Sequence, residues 1–232
     1  MATKAATRIL VRDELIGFAR SKVMLVLWAV LPALALAGYF LLKDVKLGPG
    51  ADGAPMPATT FMSMLISSIT GTMAALMVAV DLVSERQRKV YELLIIRPVR
   101  REVIVWAKFI AVFLSVTIAC VISLLLGIGV DAVRGQSLTD EETRGVVRAT
   151  VTMVTTVGMS AAMGALLGVL ARTILVAVLL ILYVGQNLAF IPMAPVYFGV
   201  FPDRFWLVQL VSVGIIIGAL ALAGRSFARS QF

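Results

Sequence analysis

Residues 103–130 read VIVWAKFIAVFLSVTIACVISLLLGIGV, and Lys108 is the only charged residue among them. A helix needs about 20 apolar residues to cross the roughly 30 Å hydrocarbon core of a bilayer. The backbone amides of such a segment must bond within the segment, because lipid offers them no partner. The alternating segments of a membrane β-barrel, about ten residues each, are not seen here. The stretch therefore predicts a membrane-spanning α-helix.

Five further apolar runs accompany it, and together they predict an all-α polytopic membrane protein. The six predicted spans, within a single transmembrane domain 1–232, are 23–42, 59–83, 103–130, 146–170, 173–191 and 205–224. The composition agrees, because 60% of the residues are apolar and only 15% are charged, against about 45–50% and 25% in soluble domains. The count of six depends on residues 171–173, which form either a tight turn or part of one kinked element.

The distribution of charge predicts the orientation of these spans. With both termini in the cytosol, the inner segments hold 15 of the 21 basic residues and six of the 13 acidic residues, a net charge of +9. The outer segments hold the other six basic and seven acidic residues, a net charge of −1. The overall +8 is therefore explained by this asymmetry and by attraction to anionic lipid rather than by nucleic-acid binding. Residues 1–22 lack the apolar core of a cleavable signal peptide.

Several kinds of chemistry are disfavoured by the residues that the chain lacks. It has no histidine and one cysteine, Cys120, which argues against intramembrane serine hydrolysis, thiol metal sites and disulfides. Mid-span ionisable groups are also lacking, which argues against proton or sodium coupling. Asp81 lies at the inner end of the second span, and we expect it to pair with Arg86 or Arg88. The methionines near that span are interpreted as packing residues rather than copper ligands.

Two cytosolic segments have an amphipathic pattern. Residues 8–20 fit a helix that lies on the membrane surface, with a frayed tail before the first span as the alternative. Residues 85–97 fit a second short helix, with Ser84 as its N-cap and Pro98 as its end. This segment is either a helix that docks a soluble partner through its apolar side or an ordinary basic loop anchored by lipid. The polar residues 131–145, with the acidic stretch 140–142, predict a short outer helix capped by Thr139 or Ser137. The proline-rich residues 192–202 predict an outer hairpin or short helices.

The segment between the second and third spans resembles the corresponding loop in permease subunits of type-2 ABC exporters. Its pattern there is E-R-E-x-G-T-x-E-x-L-L-x-x-P-x-x-R, followed by a span entry that ends in G-K. The matching residues are Glu85, Arg86, Glu92, Leu94, Pro98, Arg101 and Lys108, while Gln87, Lys89, Val90 and Ala107 depart from the pattern.

The resemblance implies a permease subunit that forms the substrate pathway as a dimer, with a second copy or a paralogue. A separate ATP-binding cassette ATPase would hold ATP and Mg²⁺, and the present chain, which lacks a phosphate-binding glycine loop, would hold no cofactor and no metal and would not be an enzyme. The residues expected to contact that ATPase are Glu85, Arg86, Arg88, Glu92, Leu94, Arg97, Pro98 and Arg101, with Arg172 as a smaller second contact. The expected location is a bacterial inner membrane.

Small and polar residues within the predicted spans lead to two further expectations. Small residues in the fourth span, among them Gly164 and Gly168, have the spacing that lets two helices approach closely. Gln186 and Asn187 either line the pathway or bond to a neighbouring helix. A membrane scaffold or assembly protein without a transport role remains the alternative function.

Overall fold

The computed structural model describes residues 2–42, 58–88, 101–133, 140–197 and 201–229, and they form helices joined by short turns. The α-helices are α1 (Ala2–Ala19), α2 (Lys22–Leu42), α3 (Ala58–Gln87), α4 (Arg101–Val133), α5 (Asp140–Leu170), α6 (Ile174–Leu180), α7 (Gln186–Ala189), α8 (Ala194–Tyr197) and α9 (Phe205–Arg229). A π-helical turn, Ile181–Gly185, joins α6 to α7. The 3₁₀ turns Ile191–Met193 and Pro202–Arg204 precede α8 and α9.

Among the described residues, five helical segments are long and apolar enough to cross a membrane. They are Leu65–Gln87, Glu102–Leu126, Arg144–Leu170, Ile174–Met193 and Phe205–Arg229. The described part of the chain is therefore all-helical, and the chain is a polytopic membrane protein. Helix α2 covers the first predicted span and contains Pro32, but its described apolar part, Met24–Gly38, is shorter. The sixth span stays a prediction.

Helices α3 and α5 form the most extensive helix pair, and small residues bring their backbones together. A methyl group placed on Gly164 would lie 2.3 Å from the carbonyl oxygen of Ala75. One turn further along, a methyl group on Gly168 would lie 2.8 Å from the Cα of Ala79. Both alanines are almost fully buried. The predicted close approach of the fourth span is therefore confirmed, and its partner is α3.

The junction between α5 and α6 is a tight turn rather than a continuous kinked helix. Helix α5 ends at Leu170, and α6 begins four residues later at Ile174. Thr173 has extended backbone angles, and its hydroxyl accepts a hydrogen bond from the amide of Val176. This is N-capping, which satisfies one free amide of the new helix. Because the turn is closed in this way, α5 and Ile174–Met193 are separate segments.

Two sequence predictions about helix ends were wrong. Ser84 does not cap a new helix, because α3 continues without a break to Gln87, and the Ser84 hydroxyl donates to the carbonyl of Asp81. The acidic residues 140–142 do not form a separate short helix, because they are the first turn of α5. Polar turns that extend a span beyond the hydrocarbon lose the apolar pattern, so the sequence shows them as loops or independent helices.

The segment that leads into α9 is broken into short helices, which is one of the two forms that its prolines predicted. Pro192 and Met193 are buried, and Phe201 has a left-handed backbone with φ of 57°. Gln209 of α9 is 4% exposed and donates to the carbonyl of Pro192 at 2.9 Å, and its side-chain oxygen lies 2.5 Å from the Thr155 hydroxyl. The buried amide thus fastens the broken segment to α5 and α9.

Candidate functional site

A cluster of charged residues joins the end of α3 to the beginning of α4. The Lys108 ammonium lies 2.5 Å from Asp81 Oδ2, 2.7 Å from Glu85 Oε1 and 3.2 Å from Glu14 Oε1. The Lys108 side chain is 1% exposed, whereas the three carboxylates are between 22% and 30% exposed. An ammonium has three donors, so each carboxylate can accept one. We call these four residues the Lys108 cluster.

The partner of Asp81 in this cluster differs from the predicted one. The sequence suggested Arg86 or Arg88, which are close in the chain, but the cation that the structure places on Asp81 is Lys108. Asp81 and Glu85 are four residues apart and so lie on one face of α3. Lys108 enters from α4, 27 residues after Asp81. The acids are therefore the α3 half of a contact between two spanning helices.

Glu14 extends the same contact to the N-terminal helix. Burial raises the pKa of the Glu14 carboxyl above its ordinary value of 4.5, and the attraction of Lys108 only partly opposes this. Phe18, one turn further along α1, packs against the apolar core. Helix α1 is thus fixed to the bundle by an ion pair and by an apolar contact.

Arg86 makes a second connection from the end of α3, to the carboxyl end of α5. Its guanidinium donates to the carbonyl of Val169 at 2.8 Å and to the carbonyl of Ala171 at 3.1 Å. The last carbonyls of a helix have no partner within the helix, and a cation there is also favoured by the helix dipole. Arg86 thus ties the end of α3 to the turn that contains Arg172.

The structure brings together only some of the residues that were predicted to contact an ATPase. Glu85 and Arg86 are half-buried, and Arg88 is exposed at the end of α3. Arg172 is exposed next to Ala171, to which Arg86 binds. Arg101 is the first residue of α4. Glu92, Leu94, Arg97 and Pro98 lie outside the described residues.

Lys108 and Glu14 are the important residues that sequence reasoning did not assign to this cluster. Lys108 had a detectable signal, because a lone lysine in an otherwise apolar span requires a partner at its own depth. Asp81 and Glu85 were acids at that depth on the preceding span. Glu14 had no comparable signal, since the docking position of a surface helix cannot be derived from its own sequence.

The two polar residues predicted in the fifth span have different surroundings. The side-chain amide of Gln186 donates to the Thr72 hydroxyl on α3. Gln186 also lines a cleft between α3, α5 and the π-helical turn. Asn187 is exposed and donates to the carbonyl of Tyr183, one turn back on its own segment, at 2.6 Å. Only Gln186 therefore faces a neighbouring helix through a hydrogen bond.

Comparison with known protein families shows to which class the chain belongs. The model of the ABC-2 family transporter proteins matches residues 54–213, which is more than half of the chain. The chain belongs to the ABC-2 transporter family and is a permease component of the ABC transporter type. No curated protein matches it significantly. The match begins before α3 and ends within α9, so it includes the α3 and α4 residues of the Lys108 cluster but not Glu14.

Proposed function

We propose that the chain is the membrane subunit of an ATP-driven exporter in a bacterial inner membrane. It would have six spans, with α2 as the first, and both termini in the cytosol. Two copies, or this chain and a paralogue, would form the pathway. A separate ATPase would hold ATP and Mg²⁺. The family supports the permease role, and the loop that resembles the type-2 exporters supports the direction.

The observation on which the proposal depends most is the connection between the helices that come before and after residues 89–100. Glu85 and Lys108 join the helices that precede and follow the segment, at 2.7 Å. Arg86 joins the same point to the end of α5. A displacement of the segment would therefore act on three spanning helices together. This is the property that a contact with an ATPase requires if it is to change a membrane pathway.

The proposed ATPase surface would comprise two regions. The first contains Glu85, Arg86, Arg88, Glu92, Leu94, Arg97, Pro98 and Arg101. The second is Arg172. The contact between Arg86 and the carbonyl of Ala171 supports this pairing, because it holds the turn that contains Arg172 beside the end of α3. Helix α1 would lie on the inner leaflet, with its exposed Ile9 and Ile16 available to lipid.

The experiment is reconstitution of the purified chain with the ATP-binding cassette ATPase subunits of the source organism. We expect stable complex formation and an ATPase rate that depends on the permease. The double variant Glu92→Ala/Arg97→Ala should lose that dependence while still inserting into the membrane. Arg229→Ala is the control. It removes an exposed basic residue near the carboxyl terminus, outside the proposed contact surface, and should leave the ATPase rate unchanged.

Two results would contradict the proposal. If the purified chain binds no ATPase, the alternative of a membrane scaffold or assembly protein is favoured. If the complex forms and the double variant retains full coupling, the permease role stands and the proposed contact surface is wrong. Complex formation and coupling are measured separately, by co-purification and by phosphate release, so the two failures are distinguishable.

A further inference from the structure

Arg148 of α5 and Trp206 of α9 both contact a buried phenylalanine, at the end of the bundle opposite to the Lys108 cluster. The Arg148 guanidinium lies 5.6 Å from the centre of the Phe205 ring. The Trp206 ring meets the Phe205 ring edge to face, with the ring centres 5.1 Å apart. Phe205 is 3% exposed, whereas Trp206 is 65% exposed and Arg148 is exposed as well. The buried ring thus fixes an exposed cation and an exposed indole to the same place.

The length of the spans places Arg148 and Trp206 at the depth of lipid head groups. Residues 149–170 contain no charged residue, and at 1.5 Å per residue their helix is about 33 Å long. This is enough to cross the hydrocarbon core of about 30 Å, so Arg148 lies at the edge of that core. Trp206 is at the start of the span Phe205–Arg229, and tryptophan is enriched at this depth. Both side chains can therefore reach the head-group layer.

The guanidinium of Arg148 keeps its hydrogen-bond donors for a ligand. Among the described residues, no carboxylate pairs with Arg148 and no carbonyl accepts a hydrogen bond from it. A guanidinium has five N–H donors in a planar fork that matches the oxygens of a phosphate. A contact with the face of an aromatic ring does not saturate these donors. Arg148 is therefore positioned by Phe205 and still able to bind an anion.

The acidic residues near this end of the bundle do not cancel the charge of Arg148. Asp203 is exposed and is next to Arg204, which is also exposed, so that turn is close to neutral. The acidic positions 140–142 begin α5 and lie about 9–12 Å further along the helix axis than Arg148. That distance is about one Debye length at physiological salt. An anion at Arg148 would therefore respond mainly to the guanidinium itself.

We propose that Arg148 and Trp206 bind the head group of an anionic phospholipid such as phosphatidylglycerol. The guanidinium would donate to the phosphate oxygens, and the indole N–H would be available to an ester carbonyl. Phosphatidylcholine has the same phosphate but a compensating ammonium group, so the site should favour the anionic lipid. The positive-inside distribution predicts attraction to anionic lipid only at the other end of the bundle, so the preference here would come from the fixed arginine. The proposal depends neither on ATP-driven transport nor on which end faces the cytosol.

Quenching of tryptophan fluorescence by brominated lipid tests the proposal. The purified full chain is placed in phosphatidylcholine vesicles that contain increasing fractions of brominated phosphatidylglycerol or of brominated phosphatidylcholine. The signal of Trp206 is the difference between wild type and Trp206→Phe, because Trp28 and Trp106 are present in both. We expect brominated phosphatidylglycerol to quench Trp206 at a roughly fivefold lower fraction than brominated phosphatidylcholine, which is the effect of one basic residue close to anionic lipid.

Variants of Arg148 show whether the guanidinium causes the preference. Arg148→Gln removes the charge and should lower the preference for phosphatidylglycerol by roughly fivefold, to almost none. Arg148→Lys keeps the charge without the planar fork, so its preference should be intermediate. Arg144→Gln is the matched control, because Arg144 is an exposed arginine one turn earlier on the same helix and lies further from the hydrocarbon core. It should keep most of the preference. Thermal unfolding verifies that each variant is folded, and if Arg148→Gln does not fold, Arg148→Lys and the wild type decide the outcome.

Four results would overturn the proposal. The first is equal quenching of wild-type Trp206 by the two brominated lipids. The second is a preference that persists unchanged in Arg148→Gln, or in Arg148→Lys if only that variant folds. The third is an equal loss in Arg144→Gln and Arg148→Gln, which would mean that diffuse charge rather than a fixed site attracts the lipid. The fourth is loss of the preference when inorganic phosphate is added at constant ionic strength, which would mean that the site binds a free anion.

Discussion

The contact between Gly164 and Ala75 gives the sharpest prediction about stability. In Gly164→Ala the new methyl carbon would lie 2.3 Å from the Ala75 carbonyl oxygen and 2.6 Å from the Ala75 Cα. Even weak C–H···O contacts have carbon-to-oxygen distances of about 3.3 Å or more. Because these atoms belong to the backbone of α3, no side-chain rotation can relieve the overlap. The two helices must separate by about 1 Å.

The cost of that separation can be estimated. Insertion of a methyl group into a packed interface costs about 1–3 kcal/mol, and this site belongs at the upper end because two backbones must move. A radial gap of 0.5–1 Å also forfeits roughly a quarter to a half of each dispersion contact nearby. The better helix propensity of alanine returns about 1 kcal/mol. We expect a net loss of about 2 kcal/mol or more.

Gly218→Ala in α9 is the matched control, because a methyl group at Gly218 would meet no atom within 4 Å. The assay is thermal unfolding of both variants in the same detergent. For a chain of this size, a loss of 2 kcal/mol corresponds to a Tm lower by roughly 4–8 °C, while Gly218→Ala should melt at or slightly above the wild-type temperature. Equal Tm values for the two variants would refute the close contact between α3 and α5.

Three further predictions concern the buried polar contacts. In SDS unfolding titrations, Lys108→Met should lower the free energy of unfolding by about 2–4 kcal/mol. This is less than the loss of a fully buried ion-pair partner costs, because the carboxylates remain partly exposed to solvent. Adding Asp81→Asn to this variant should restore part of the lost stability. Because the pKa of Glu14 is raised, the folded state binds the Glu14 proton more tightly than the unfolded state does, and the contribution of Glu14 to stability falls as pH rises from 4.5 through the raised pKa. Over that pH range the stability difference between wild type and Glu14→Gln should therefore shift in favour of the variant. A difference that stays constant with pH would count against the burial of the carboxyl. Gln209→Leu should cost about 1–3 kcal/mol by leaving the carbonyl of Pro192 unpaired, whereas Ser212→Ala, which removes only a bond within α9, should change the Tm little.

The spanning segments could be predicted because one physical requirement decides them. A backbone in hydrocarbon must be helical, and the length of an apolar run fixes where that condition holds. The same reasoning fails at the ends of the runs. Residues 140–142 and 84–87 are polar and lie beyond the apolar runs, yet they continue α5 and α3. Polar residues outside an apolar run can be satisfied in many conformations, so their sequence does not choose one.

Contacts between spans were predictable only where the small size of the side chains indicates that two helices can approach closely. Gly164 and Gly168 indicated a close approach, and Ala75 and Ala79 have the same four-residue spacing on α3. The ion pair between Asp81 and Lys108 was not predicted, because it depends on how α3 and α4 rotate about their axes. That rotation is set by the packing of all the helices together. Sequence neighbours such as Arg86 therefore seemed the natural partners of Asp81.

The positions of the strong contacts indicate how force from a partner would be transmitted. The Lys108 cluster and Arg86 join α3 to α4 and to the end of α5, and the backbones of α3 and α5 touch further along at Gly164. The three helices should therefore move as one body when the segment 89–100 is displaced. The segment Ile174–Met193 is different, since it is mostly exposed and contains a π-helical turn. If the proposed coupling is correct, the relative movement should occur between this segment and the three-helix body, where Gln186 and Thr72 meet beside the cleft.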